Sequence, residues 1–165
     1  MAVLGIDPSY RKLAFVVLSG TGSYLRHEEV AKLGKSMPET CARAASETRS
    51  LVIRLAEEGI EVTHAWIESP VVGRGGAQVT IKQAVVNGAV QGALYDCGVA
   101  VETVQNTSWK RVVCGHGGMG KPDVTLWLHR HRVDLARILD SQDLVDAACI
   151  ALHGVEALSS LQGPG

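Results

Sequence analysis

The chain has 165 residues, with 16 Lys and Arg against 17 Asp and Glu, and 46% apolar residues. That length suits one domain with its own core. The near-zero net charge excludes a globally basic nucleic-acid binder, so any phosphate-binding surface must be local.

The apolar run at residues 3–6 ends in Asp7-Pro8-Ser9, and a second run, residues 13–18, soon follows. The pair reads as a hairpin with Asp7 at the end of a buried strand, a costly place for a carboxylate without a partner or metal. After a turn at Gly20-Thr21-Gly22-Ser23, residues 24–33 read as a more polar edge strand. Ser36 and Glu39 form a capping pair for a helix in which Cys41, Ala44, Leu51, Val52 and Leu55 recur at helical spacing up to Gly59. Residues 62–69 read as a strand closing on Glu68-Ser69-Pro70, before a Gly-rich loop at 73–76.

A helix at 78–97 carries Gly88 and Gly92 among Ala84, Ala89 and Ala93, a flat side suited either to the sheet or to a second copy of the chain. A strand at 99–104 leads to Asn106-Thr107-Ser108, which can cap a short helix at 109–113. The Gly-rich loop at 114–120 reads as mobile. A helix at 121–131, a connector at 133–141, a last helix at 142–161 and a frayed tail at 163–165 complete the chain. The expected fold is α/β: a five-stranded mixed sheet, a three-strand antiparallel meander plus two parallel strands, flanked by helices in one domain at 1–162.

Cys41, Cys97, Cys114 and Cys149 lie at least 17 residues apart, which excludes a Cys-x-x-Cys metal ribbon and favours buried, reduced thiols. No apolar run approaching ~20 residues stands out, and the N-terminus has no basic segment ahead of a cleavable apolar one. The expectation is a cytoplasmic protein without membrane association.

Asp7 and Glu68 end two predicted strands; if these are parallel neighbours, the carboxylates lie side by side at the edge where such sheets bind ligands. Asp143 and Asp146, three apart, share one face of the first turn of the last helix. Taken singly, Asp7 reads as a turn residue before Pro8, and the helix pair as ordinary N-terminal charge. Together, four carboxylates at one edge repel one another unless cations sit among them. Oxygen-only donors select hard ions, Mg²⁺ with Mn²⁺ as substitute, and two such ions suit phosphodiester hydrolysis.

Gly5-Ile6-Asp7-Pro8, Ile67-Glu68 and Asp143-Leu144-Val145-Asp146-Ala147-Ala148 resemble the RuvC-type Holliday-junction resolvases. The resemblance implies an RNase H-like fold, a homodimer, and catalytic, metal-holding roles for Asp7, Glu68, Asp143 and Asp146. It also implies DNA contacts from two lysines eleven apart around a mobile Gly-rich loop, matched by Lys110 and Lys121. Two positions depart from the family pattern: Val71 stands where an aromatic wedge follows the Glu, and Ser9 where Gly follows Asp-Pro. A phage-type member would fit these departures.

The expected activity is therefore an endonuclease that resolves four-way DNA junctions, leaving 5′-phosphate and 3′-hydroxyl nicks. Arg11, Lys12 and Arg74 are further candidate phosphate ligands, and the helix at 78–97 is the candidate dimer surface. Alternatives are an RNase H-like nuclease for RNA or flapped DNA, and an actin-like nucleotide-binding domain. Gly115 to Gly120-Lys121 imitates a P-loop, but Pro122 stands where Ser or Thr would bind Mg²⁺. His129-Arg130-His131-Arg132 reads either as a solvated helix end or as a phosphate contact. His153, ten residues beyond Asp143, reads as structural.

Overall fold

A computed structural model describes residues 1–70 and 76–161. Strands β1 (Ala2–Pro8), β2 (Lys12–Ser19), β3 (Tyr24–Ala31), β4 (Val62–Glu68) and β5 (Ala100–Val104) form one sheet in the order β3-β2-β1-β4-β5. β1 pairs antiparallel with β2 and β2 with β3, whereas β4 runs parallel to β1 and β5 parallel to β4. This is the expected mixed sheet. The described helices are α1 (Met37–Glu57), α2 (Gly76–Asp96), α3 (Asn106–Cys114), α4 (Lys121–His131), α5 (Val133–Ala136) and α6 (Gln142–Leu161).

β1 and β2 are apolar at nearly every position because both of their faces are covered. Leu4, Ile6, Leu13, Phe15 and Val17 join Leu51 and Leu55 of α1 and Val86 and Val90 of α2 in one core. Val3, Ala14, Val16 and Leu18 face the other way, onto Trp109 of α3, Leu128 of α4 and Ala147 to Ala151 of α6. β3 is the polar edge strand, and its Glu28 carboxylate accepts from Arg54 of α1 at 2.7 Å.

Gly5 sets the relation of α6 to the sheet. A Cβ at Gly5 would strike the carbonyl of Ala147 and the amide of Ala151. The α6 backbone therefore lies directly on β1, a contact only glycine permits. The same helix makes room at Gly154 for the Trp66 ring of β4. Because side chains alternate along a strand, Val3, Gly5 and Asp7 share one face of β1. Trp66 and Glu68 likewise share the α6 face of β4.

Several expectations need correction. Asn106 is not a cap: α3 is preceded by Gln105 without a side-chain cap bond, and Asn106 is its first residue. Ser36 does cap α1, but the Glu39 carboxylate accepts from the Lys35 amide. The connector at 133–141 contains the one-turn α5. Gly88 and Gly92 do not pack on the sheet; a Cβ at either would meet open space, while α2 buries Val86, Asn87, Val90, Ala93 and Leu94. Cys114 and Cys149 are buried, but Cys41 and Cys97 are only half-buried; all four thiols are free. Among the described helices α6 alone is long and apolar enough to cross a membrane by composition, and 56% of that stretch is buried in the fold. Its apolar character is that of a core helix. Arg74 and Val71 lie outside the described residues, as does the 163–165 tail.

Candidate active site

Pairing of Gly5 with Trp66 and Ile6 with Ile67 carries β1 and β4 in register to their C-terminal ends, where Asp7 and Glu68 emerge as neighbours. α6 begins over the same edge, so Asp143 and Asp146 arrive from its first turns. The four carboxylates line one cavity of about 220 Å³, together with Lys121, Asn87 and Asn106. A larger cavity, about 830 Å³ between the end of α2 and β5, holds none of them.

The electrostatics show how closely the acids sit. Burial raises the Asp7 carboxyl well above its usual range, and the charges of Glu68, Asp146 and Asp143 raise it further; Lys121 opposes them. Burial likewise pushes Asp146 up to about 6, against a bond from Gln142 and the pull of Lys121.

Three of the acids are held in place. Glu68 Oε1 accepts from Asn106 Nδ2 at 2.5 Å and from Trp109 Nε1 at 3.0 Å. Both donors take one oxygen and leave the other with its lone pairs for a cation. Asn87, buried, donates to the Glu68 carbonyl at 2.7 Å. Gln142 Nε2 donates to Asp146 Oδ1 at 2.9 Å. The Thr125 hydroxyl donates to Gln142 Oε1 at 2.9 Å, which sets the amide's orientation. Asp143 Oδ2 accepts from Lys12 Nζ at 3.0 Å, and the same ammonium bonds Glu29 at 3.2 Å. The bond to Asp143, then that to Glu29, raises the Lys12 pKa.

Asn106, Trp109 and Gln142 were not among the sequence candidates. Asn106 and Trp109 lie three apart and so share a helix face, and that spacing is the signal that could have found them.

The basic candidates separate. Lys121 stands at the cavity, its side chain 64% exposed and its ammonium 4.0 Å from Asp146 Oδ2. Lys110 is only 8% exposed, and its ammonium donates to the Met119 carbonyl at 2.9 Å, where it anchors the loop expected to be mobile. Arg11 lies exposed over the Tyr10 ring. Arg132 forks onto Asp134 and reaches the Gly22 carbonyl, and His131 stacks on Trp127, so half of the basic cluster is engaged in the fold. His153 is half-buried, its Nδ1 is enclosed without a partner among the described residues, and burial lowers its pKa. The P-loop resemblance fails locally: Asp123 Oδ2 accepts from the Gly120 amide at 3.2 Å, where a phosphate oxygen would bind.

Among the described residues, no group of three or more Asp, Glu, His or Cys side chains is gathered tightly enough to clamp an ion by itself. The donor set nevertheless fits a hard cation: oxygen only, four acids, with Asp146 buried and Asp7 opposed by its neighbours' charge.

This crowding has a measurable consequence. A raised carboxyl pKa means that the folded state holds the proton more tightly than the unfolded chain. The stabilisation from Asp146 is thus complete below its ordinary value of 3.8 and is lost as pH rises through about 6. The loss is on the order of 3 kcal/mol. Metal-free protein should therefore melt at a higher temperature at pH 5 than at pH 8. Asp146→Asn should raise the pH 8 melting temperature and diminish the stabilisation by added Mg²⁺. A melting temperature that is flat with pH, with Mg²⁺ stabilising the variant as much as the parent, would refute the electrostatic picture. Calorimetry in chelator and in Mg²⁺ makes the comparison.

No protein-family model matches the chain. A solved structure of Thermus thermophilus RuvC aligns over 97% of this chain and 97% of its own, with TM-score 0.79 and 24% identity. A second, of Thermus thermophilus RuvC in complex with a Holliday junction substrate, aligns over 99% and 96%, with TM-score 0.77 and 22% identity. The crossover junction endodeoxyribonuclease RuvC of Acidiphilium cryptum (strain JF-5) is 30% identical over 152 residues, which span 91% of this chain and 87% of that relative. With that relative, that fold and this arrangement of carboxylates, the chain belongs to the RuvC family of crossover junction endodeoxyribonucleases.

Proposed function

We propose that this chain nicks four-way DNA junctions by metal-dependent phosphodiester hydrolysis at the cavity of Asp7, Glu68, Asp143 and Asp146. One observation carries the reading: four acids from three separate elements line a single cavity at the sheet edge. Acidic groups facing a phosphodiester would repel it unless divalent cations intervened, so the arrangement makes sense only as an ion cradle.

Asp7, the free oxygen of Glu68, and Asp146 are the residues that would hold Mg²⁺, with Asp143 joining once Lys12 lets it go. When bound, such ions activate a water and stabilise the departing 3′ oxygen, which leaves 5′-phosphate and 3′-hydroxyl ends. The chain's own residues set the stage. Asn106 and Trp109 keep Glu68 in one rotamer, and Gln142 does so for Asp146. Lys121 supplies an exposed positive charge at the cavity mouth, suited to the phosphate flanking the cut. Lys110 contributes by holding Met119, and hence the segment that leads into Lys121.

A homodimer completes the reading. Along α2, Ile81, Val85 and Tyr95 are exposed large apolar residues, and Gly88 and Gly92 between them face open space. Their spacing, alternately four and three, makes one stripe along the helix, with a glycine notch at its centre for close approach by a second helix. Two copies paired through this stripe about a two-fold axis would present two cavities to two strands, matching the symmetry of a four-way junction.

Asp7→Asn should bind a four-way junction with near wild-type affinity and lose Mg²⁺-dependent cutting by at least ~10³-fold, measured in single-turnover gel assays. Cutting within a few-fold of wild type would remove Asp7 from the site. Linear duplex or RNA competing as well as a junction would favour the broader RNase H-like nuclease.

Val85→Asp should shift the protein to monomer by light scattering and uncouple the two nicks. A Val85→Asp protein that remains dimeric, with paired nicks, would place the interface elsewhere.

A further inference from the structure

A third cavity, about 620 Å³, is ringed by Arg11, Lys12, Lys32, Lys35 and Arg43, with Glu39 the one acid among its described lining residues. It stands at the same sheet edge as the carboxylates. Lys12 opens β2 opposite Ala31 at the end of β3, two residues before Ala14 pairs with Asp7. Lys12 joins the two places, since its ammonium bonds Asp143. Lys12 and Arg43 have acidic partners in Glu29, Asp143 and Glu47. Among the described residues Arg11, Lys32 and Lys35 form no ion pair, so their charge is available to a ligand.

Lys32 adds an independent observation. Among the described residues it alone, other than glycines, has a left-handed backbone, with φ 57. A Cβ disfavours that conformation and glycine accepts it freely. Its carbonyl accepts from Arg43 Nη1 at 3.0 Å, which holds the kink at the rim of the cleft. A lysine therefore sits where glycine would strain the fold least, which is the kind of local cost that functional positions carry.

We propose that this cleft receives the sugar–phosphate backbone of a duplex arm as it leaves the catalytic cavity. The inference rests on the junction reading above and adds an anchoring surface to it. Flexible cations set around an open cleft suit a line of phosphates, each a separate contact, better than one compact anion. Contacts to phosphates carry no sequence information, so the cleft as proposed fixes the path of the arm and not its sequence.

The double variant Lys32→Gly/Lys35→Gln removes two cations and leaves the catalytic cavity untouched. Its junction affinity at low salt should fall roughly tenfold, and its slope of log affinity against log salt should be shallower by about 2. The melting temperature should rise, because glycine relieves the kink. Hydroxyl-radical footprinting should show a protected backbone patch on one arm that the variant loses. If the melting temperature falls instead, Lys35→Gln alone decides, and its slope must be shallower by about 1. Wild-type slope and footprint in these variants would overturn the proposal. A wild-type chain that cuts no junction would overturn the reading beneath it.

Discussion

Mutual repulsion among carboxylates is the constraint on which the rest of this molecule turns. Asp7 is half-buried, and three other acids act on it in the same unfavourable sense as its own burial. Stability alone would not assemble such a group, since Asp7 and Asp146 cost folding free energy that apolar or amide side chains would not. A divalent ion held among them would offset that cost, because its charge opposes the repulsion between the acids. The site is thus an instance of local instability kept for chemistry.

The fold meets this constraint by rigid placement. β1 and β4 are central strands, covered on both faces, so Asp7 and Glu68 project from the least deformable part of the sheet. α6 is seated on β1 by backbone contact at Gly5 and against β4 by Trp66 at Gly154. A helix so seated cannot slide without a clash, and its first turns deliver Asp143 and Asp146 to the edge. Around them the amide and indole donors of Asn106, Trp109 and Gln142 fix rotamers while leaving oxygens available. Cationic groups are placed outside this ring: Lys121 on one helix, and the lysines and arginines beyond Lys12.

The four acids were legible in the sequence because their signals are local. A carboxylate ending an apolar run, and two acids three apart at a helix start, need no knowledge of distant packing. The mixed five-stranded sheet followed from the hairpin meander and the crossover segments, while its order, with β4 beside β1, comes from the structure. What escaped was whatever depends on the third dimension. Asn106 carries the composition of a helix cap, and only its position opposite β4 makes it a partner of Glu68. Trp109 looks like core and is core, yet its indole N–H is what reaches the carboxylate. Lys110 shares the spacing of a DNA-contacting pair with Lys121, but its position on α3 turns it inward to Met119. Gly5 sits within the most informative stretch of the chain, and its role as the seat of α6 is visible only once that helix is in place.

Anomalous scattering from crystals soaked in Mn²⁺ tests the central claim most directly, since it locates cations without relying on activity. The account predicts manganese within the cavity, bonded to Asp7 and to the oxygen of Glu68 that Asn106 and Trp109 leave free. Manganese found only at other surfaces, in crystals whose dissolved protein still cuts junctions, would contradict it.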